Sequence, residues 1–142
     1  MKRIIISMLL LFATYSYSQD WKMSFEEAKN QAVTYNKNIL LIFSGSDWCA
    51  PCIKLDKNVW QSEAFKKETN WVLYKADFPK KKAHQLSEEL AINNKKLAEK
   101  YNKGGNFPLV VLLDKTGKVL GMSGFKNIAA EEYIKMIKAF EK

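Results

Sequence analysis

An α/β domain, with a mixed central sheet flanked by helices and an extra helix in front, follows from three features of the sequence. Two short apolar runs, "ILLIF" (Ile39 to Phe43) and "WVLYKAD" (Trp71 to Asp77), are separated by enough chain for a helical crossover, so they read as parallel strands of a βαβ unit. A polar stretch then places Leu86, Leu90, Leu97 and Tyr101 on one helical stripe. Finally "LVVLL", "DKTG" and "KVLGM" read as an antiparallel hairpin whose glycine takes the left-handed turn position.

The elements follow in order. Ser24 and Glu27 form a capping-box pattern, and Phe25, Ala28, Ala32 and Tyr35 line one face, which predicts a first helix from Ser24 to Tyr35. The first strand is an unbroken apolar run, the pattern of a strand buried on both faces, and ends at Ser44-Gly45-Ser46. Ile53, Leu55 and Val59 predict a helix that begins near Cys49, and Ser62 is placed to cap a short turn before Phe65. The long amphipathic helix after the second strand is expected to stop at Gly104-Gly105. Tyr133, Ile137 and Phe140 predict the closing helix.

The chain has 142 residues, the size of one domain with one core. Its first eighteen residues, MKRIIISMLLLFATYSYS, carry a basic start at Lys2 and Arg3, an apolar run from Ile4 to Ala13, and small residues at Ser16 and Ser18. This is the pattern of a secretory signal with cleavage before Gln19. The apolar run is about half of the ~20 residues that span a bilayer, so the expectation is a cleaved leader (1–18) and one exported domain (19–142) with no stable membrane insertion. The formal charge of +8 falls to +6 without Lys2 and Arg3, and Arg3 is the only arginine. A lysine-only basic surface argues against nucleic-acid recognition, which draws on arginine for bidentate contacts.

Both cysteines lie in "SDWCAPCIKL", three positions apart. In an oxidising compartment such a pair forms a disulfide unless another protein keeps it reduced. A thiol at a helix start meets unpaired N–H groups and a partial positive charge, which favour its thiolate; Cys49 is that thiol. One helical turn then puts Cys52 within disulfide reach, placed to attack a mixed disulfide formed through Cys49. Pro51 suits the first turn, where its missing N–H is not needed, and stiffens the bridge. A structural zinc takes four Cys or His ligands; two cysteines and the distant His84 make one only if molecules share it, so no metal is expected. A staple across so short a loop restrains little chain entropy.

The stretches "FSGSDWCAPCIKL" and "NFPLVVLLDKTGKVLGMSGF" together resemble the thioredoxin family, and among it the exported bacterial thioredoxin-like domains, including the C-terminal domain of the membrane electron transporter DsbD. The resemblance runs from about Asn38 to Lys142 and implies a thioredoxin fold. It implies Cys49 as the exposed nucleophile, Cys52 as the buried resolving thiol, Pro108 as a cis-proline facing the pair, and Trp48 packed beside the nucleophile. Trp48, Phe107 and Pro108 are thereby the expected substrate-binding residues. Thioredoxins carry a buried aspartate six residues before the nucleophile; Phe43 stands there. Asp47 resembles the acidic position of the DsbD-like pattern, though an exposed turn carboxylate is the plainer reading. The approach to Pro108 is one residue longer than the usual G-x-P.

These readings converge on a thiol–disulfide oxidoreductase of the periplasm or the secreted fraction, exchanging electrons between its CxxC and the cysteines of partner proteins. The expectation is a monomer on the reducing side, supplied by a membrane electron donor, with the Cys49–Cys52 disulfide as redox group and no organic cofactor. Asp47, Ala50 and Pro51 are the expected modulators of the pair. The alternative is a thioredoxin-fold module that binds peptides while its disulfide stays idle.

Overall fold

The computed structural model describes residues 19–68 and 70–142. The leader expected over residues 1–18 lies outside them. Among the described residues no helix is long and apolar enough to cross a membrane.

Helix α1 (Phe25–Tyr35) starts as the capping pattern requires, with Ser24 Oγ accepting from the Glu27 N–H at 3.1 Å. Strand β1 (Asn38–Ser44) follows, then helix α2 (Ala50–Leu55), which runs into one π-helical turn (Asp56–Trp60). A short helix α3 (Glu63–Lys66), capped by Ser62, leads to β2 (Trp71–Asp77). Helix α4 (Glu88–Tyr101), the hairpin β3 (Leu109–Leu113) and β4 (Val119–Ser123), and helix α5 (Ala130–Lys138) complete the chain.

The four strands lie in the order β2-β1-β3-β4. β1 is parallel to β2 and antiparallel to β3, which in turn is antiparallel to β4. The parallel pair and the hairpin are therefore as expected, and Gly117 takes the left-handed conformation at φ 89°. The β2 edge is partly covered by the N-terminal segment, where Trp21 bridges to Leu73 and the Lys22 N–H donates to the Leu73 carbonyl.

Alternation along β1 divides the core into two layers. Ile39, Leu41 and Phe43 face α1 and α4 through Ala28, Ala32, Leu97 and Tyr101. Leu40 and Ile42 face the other side, with Leu55, Val59, Trp60, Phe65, Tyr133 and Ile137. Burial pushes the Tyr133 phenol up to about 12, and its hydroxyl donates to the Gly124 carbonyl.

Three expectations are corrected in detail. Ile53 is 48 % exposed, because Cys52 and Leu55 take the inward face of α2 and the π-helical turn re-phases the chain to bury Val59 and Trp60. Leu86 precedes the Ser87 cap and lies outside α4; the inward stripe runs through Asn94, Leu97 and Tyr101. The helix ends at Tyr101, short of Gly104, because the Asn102 side chain turns to bracket the next loop.

Candidate active site

Four loops meet at one end of the sheet: those that leave β1, β2 and β4, and the one that enters β3. The first carries the cysteines. Cys49 caps α2, its Sγ accepting from the Cys52 N–H at 3.3 Å, so a helix-start amide points at the sulfur that chemistry requires as thiolate. The two are disulfide-bonded with Cα atoms 5.2 Å apart. Cys52 is 3 % and Cys49 5 % exposed, so the contrast in access implied by the resemblance is slight in the disulfide form. Ala50 and Pro51 occupy the first turn between them, both exposed.

Pro108 is buried at the start of β3, and the Phe107–Pro108 peptide is cis, as the resemblance implied. The longer approach is held by Asn102, which is 5 % exposed. Its Nδ2 donates to the Asn106 carbonyl at 2.8 Å, and its Oδ1 accepts from the Asn106 N–H at 2.9 Å. Asn102 was not among the residues singled out from the sequence. A polar residue directly after the helical stripe and before two glycines was the available signal.

Trp48 does not fill the core; it is 39 % exposed. Its Nε1 donates to the Phe78 carbonyl at 2.7 Å, and its ring meets the Phe107 ring edge-on at 5.5 Å. Phe107 in turn contacts Phe78 at 5.4 Å, and Phe78 reaches Phe43. Gly45 is required beneath this cluster, since a Cβ there would stand 2.4 Å from the Trp48 ring.

Asp47 corrects the plain reading of an exposed turn carboxylate. Its side chain is 3 % exposed, covered by the loop after β2. Its oxygens accept from the backbone N–H groups of Lys80 and Lys81, both at 2.9 Å, and meet His84 Nδ1 at 3.0 Å. The Lys80 amide above all holds the carboxyl below its ordinary value; desolvation opposes it, and the Lys81 amide and His84 add to the lowering. Asp47 thus ties the loop of residues 78–84 to the cysteine turn. Its folded value is depressed, so its contribution is present above the ordinary carboxylate pKa and is lost as pH falls through the lower folded value. The expected result is a Trp48 indole N–H resonance that stays in place from neutral pH through the usual carboxylate range and moves only below it. In Asp47→Ala the resonance should already be displaced at neutral pH; an unmoved signal would refute the tie.

Beside Cys52 lies a small notch lined by Ser44, Ser46, Ile53, Asp56 and Lys75. Lys75 Nζ lies 2.6 Å from Asp56 Oδ1, and both residues are half-buried. Asp56 follows Cys52 by one helical turn, its N–H donating to the Cys52 carbonyl. At the buried position where thioredoxins carry aspartate, Phe43 is 0 % exposed. The ionisable pair near the resolving sulfur is therefore Asp56 with Lys75, neither of which the sequence reading named.

A thioredoxin-like family model matches residues 20–115. The chain belongs to the thioredoxin-like family. The disulfide bond reductase DsbH of Chlamydia pneumoniae is 36 % identical over 118 residues, which is 82 % of this chain and 69 % of DsbH. A solved DsbH oxidoreductase structure superposes with a TM-score of 0.79 at 33 % identity, over 87 % of this chain and 84 % of that one. The C-terminal domain of Neisseria meningitidis DsbD shares the fold, with a TM-score of 0.52 at 17 % identity over 81 % of this chain and 91 % of that one. Thioredoxin fold, CxxC disulfide and these relatives make this family member a thiol–disulfide oxidoreductase.

Proposed function

We propose that this thioredoxin-like protein works on the reducing side, in the bacterial envelope, delivering two electrons from its dithiol to disulfides of exported proteins. The observation that carries this is the Cys52 N–H directed at Cys49 Sγ with no other polar donor on that sulfur among the described residues: Ala50 and Pro51 offer no side-chain hydrogen bond. Strong oxidants of this fold need the reduced form unusually stabilised, with a thiol pKa driven to ~3.5. The relative named a disulfide bond reductase supports the same direction.

The Cys49 thiolate attacks a partner disulfide, forming a mixed disulfide and expelling one partner thiolate. Cys52 loses its proton toward the notch, where Asp56 is the carboxylate within that lining, and attacks Cys49 Sγ. The second partner thiolate leaves, and the chain is left as the Cys49–Cys52 disulfide. Trp48, Phe107 and Pro108 form the seat against which the partner strand lies. A dithiol on a membrane electron carrier restores the reduced monomer by the reverse exchange, so no organic cofactor enters. Equilibration against glutathione tests the direction: the expected midpoint is near the thioredoxin value of ~−270 mV, and one more positive than about −150 mV would make this a disulfide-forming enzyme.

A further inference from the structure

The four loops around the disulfide are unequal in charge. Those that leave β1, β2 and β4, with the one entering β3, contain Lys80, Lys81, Lys82, Lys103 and Lys126, against Asp47 as their sole carboxylate. Asp47 is covered and its oxygens are taken by the loop it holds. Two neighbouring carboxylates are also committed: Asp77 accepts from the Ser46 N–H and hydroxyl, and Asp56 pairs with Lys75. Glu88, Glu89, Glu131 and Glu132 occupy the first turns of α4 and α5, which start at this end of the sheet, each pair against the partial positive charge of its helix start. Asp114 sits at the opposite end, beyond β3.

Two lysines are placed on aromatic rings at either flank. Lys80 Nζ lies 3.9 Å from the Trp48 ring centroid, on the β2 side, fixed there by its own N–H on Asp47. Lys54 Nζ lies 5.6 Å from the Phe125 ring centroid, on the β4 side. Gly124, which leads to Phe125, is close to the Pro108 carbonyl. Among the described residues neither ammonium has a carboxylate partner within ion-pair distance. The face between them carries the exposed apolar surface of Trp48 and Ile53.

We propose that this face seats an acidic partner segment, an extended stretch with aspartate or glutamate on both sides of its reactive cysteine. The inference rests on the reductase reading and narrows its substrate class. Apolar contact on Trp48 and Ile53 supplies the seat, and opposite charge at each flank speeds encounter and rejects basic segments.

The test uses three short peptides, each linked to itself by a disulfide, identical except that the cysteine is flanked by glutamates, serines or lysines. Single-turnover oxidation of the reduced protein is followed at low ionic strength. Each rate is divided by that of dithiothreitol with the same peptide, which removes the effect of the leaving thiol's own pKa. The glutamate peptide is expected to react about tenfold faster than the lysine peptide, a gap that closes in 1 M salt as the screening length falls to about 3 Å. The double variant Lys54→Glu, Lys80→Glu should reverse the order. Equal normalised rates in a protein that reduces all three peptides would overturn the acidic-segment inference and leave the reductase reading standing. Reduction of none of them would overturn both.

Discussion

Replacing Cys49 with serine is expected to take reduction of a model protein disulfide down to the rate of the small-thiol donor alone, while leaving the fold intact. The hydroxyl is a far poorer nucleophile at neutral pH than a thiolate, and the short loop closed by the disulfide contributes little chain entropy. Cys52→Ser should differ in kind: the first attack proceeds, resolution does not, and partner proteins stay disulfide-linked to Cys49. Recovered from the host, that species identifies the partners. In the intact protein, Asp56→Asn should slow resolution while sparing the first attack, so that mixed disulfide accumulates without loss of initial rate. A Cys49→Ser protein that still reduces disulfides would remove the assignment. So would a double serine variant that binds unfolded protein as well as the parent in a chain with no turnover, since that outcome belongs to a peptide-binding module.

The difference between what was and was not legible lies in the range of the interactions. Periodicity located β1, β2, the hairpin and the first helix to within a residue or so, because burial on one or both faces leaves a repeat in the local sequence. The cysteine pair was legible for the same reason, as its chemistry sits within one turn. Asp47 was not. Its role depends on Lys80 and Lys81, more than thirty residues away, and a turn aspartate looks the same whether or not a distant loop closes over it. Asn94 is illegible likewise: from α4 it accepts from the Tyr74 hydroxyl and donates to the Asp77 carbonyl, both on β2, and only its place on an apolar stripe hints at burial. The π-helical turn that re-phases the chain after α2 leaves no local signature either, so the apolar spacing points to Ile53 where Cys52 holds the inward face.

Phe43→Asp is the substitution that bears most directly on how this chain departs from thioredoxins proper, and it is expected to cost more than about 4 kcal/mol of stability. In a thioredoxin an aspartate at this point lies near the resolving sulfur and accepts its proton. Here Phe43 is fully buried one residue before the end of β1, paired with Ala76 and Leu109 on the neighbouring strands. It packs in the layer that faces α1 and α4, and its ring meets Phe78, the first residue of the loop that Trp48 and Asp47 hold in place. An aspartate would leave a void of most of a phenyl ring, and truncation of a buried Phe alone costs about 3–5 kcal/mol. It would also bring a carboxyl into an apolar layer whose two tyrosine hydroxyls, on Tyr74 and Tyr101, already donate to Asn94 and to the Gly117 carbonyl, adding the penalty of a poorly paired polar group. Against a total stability of about 5–15 kcal/mol, that removes a large fraction of the margin that keeps the protein folded. Urea denaturation of parent and variant in the disulfide form measures it. Stability within 1 kcal/mol of the parent, together with faster resolution of the mixed disulfide, would mean that the core accepts the thioredoxin arrangement, and that the Asp56 and Lys75 notch is not where the Cys52 proton goes.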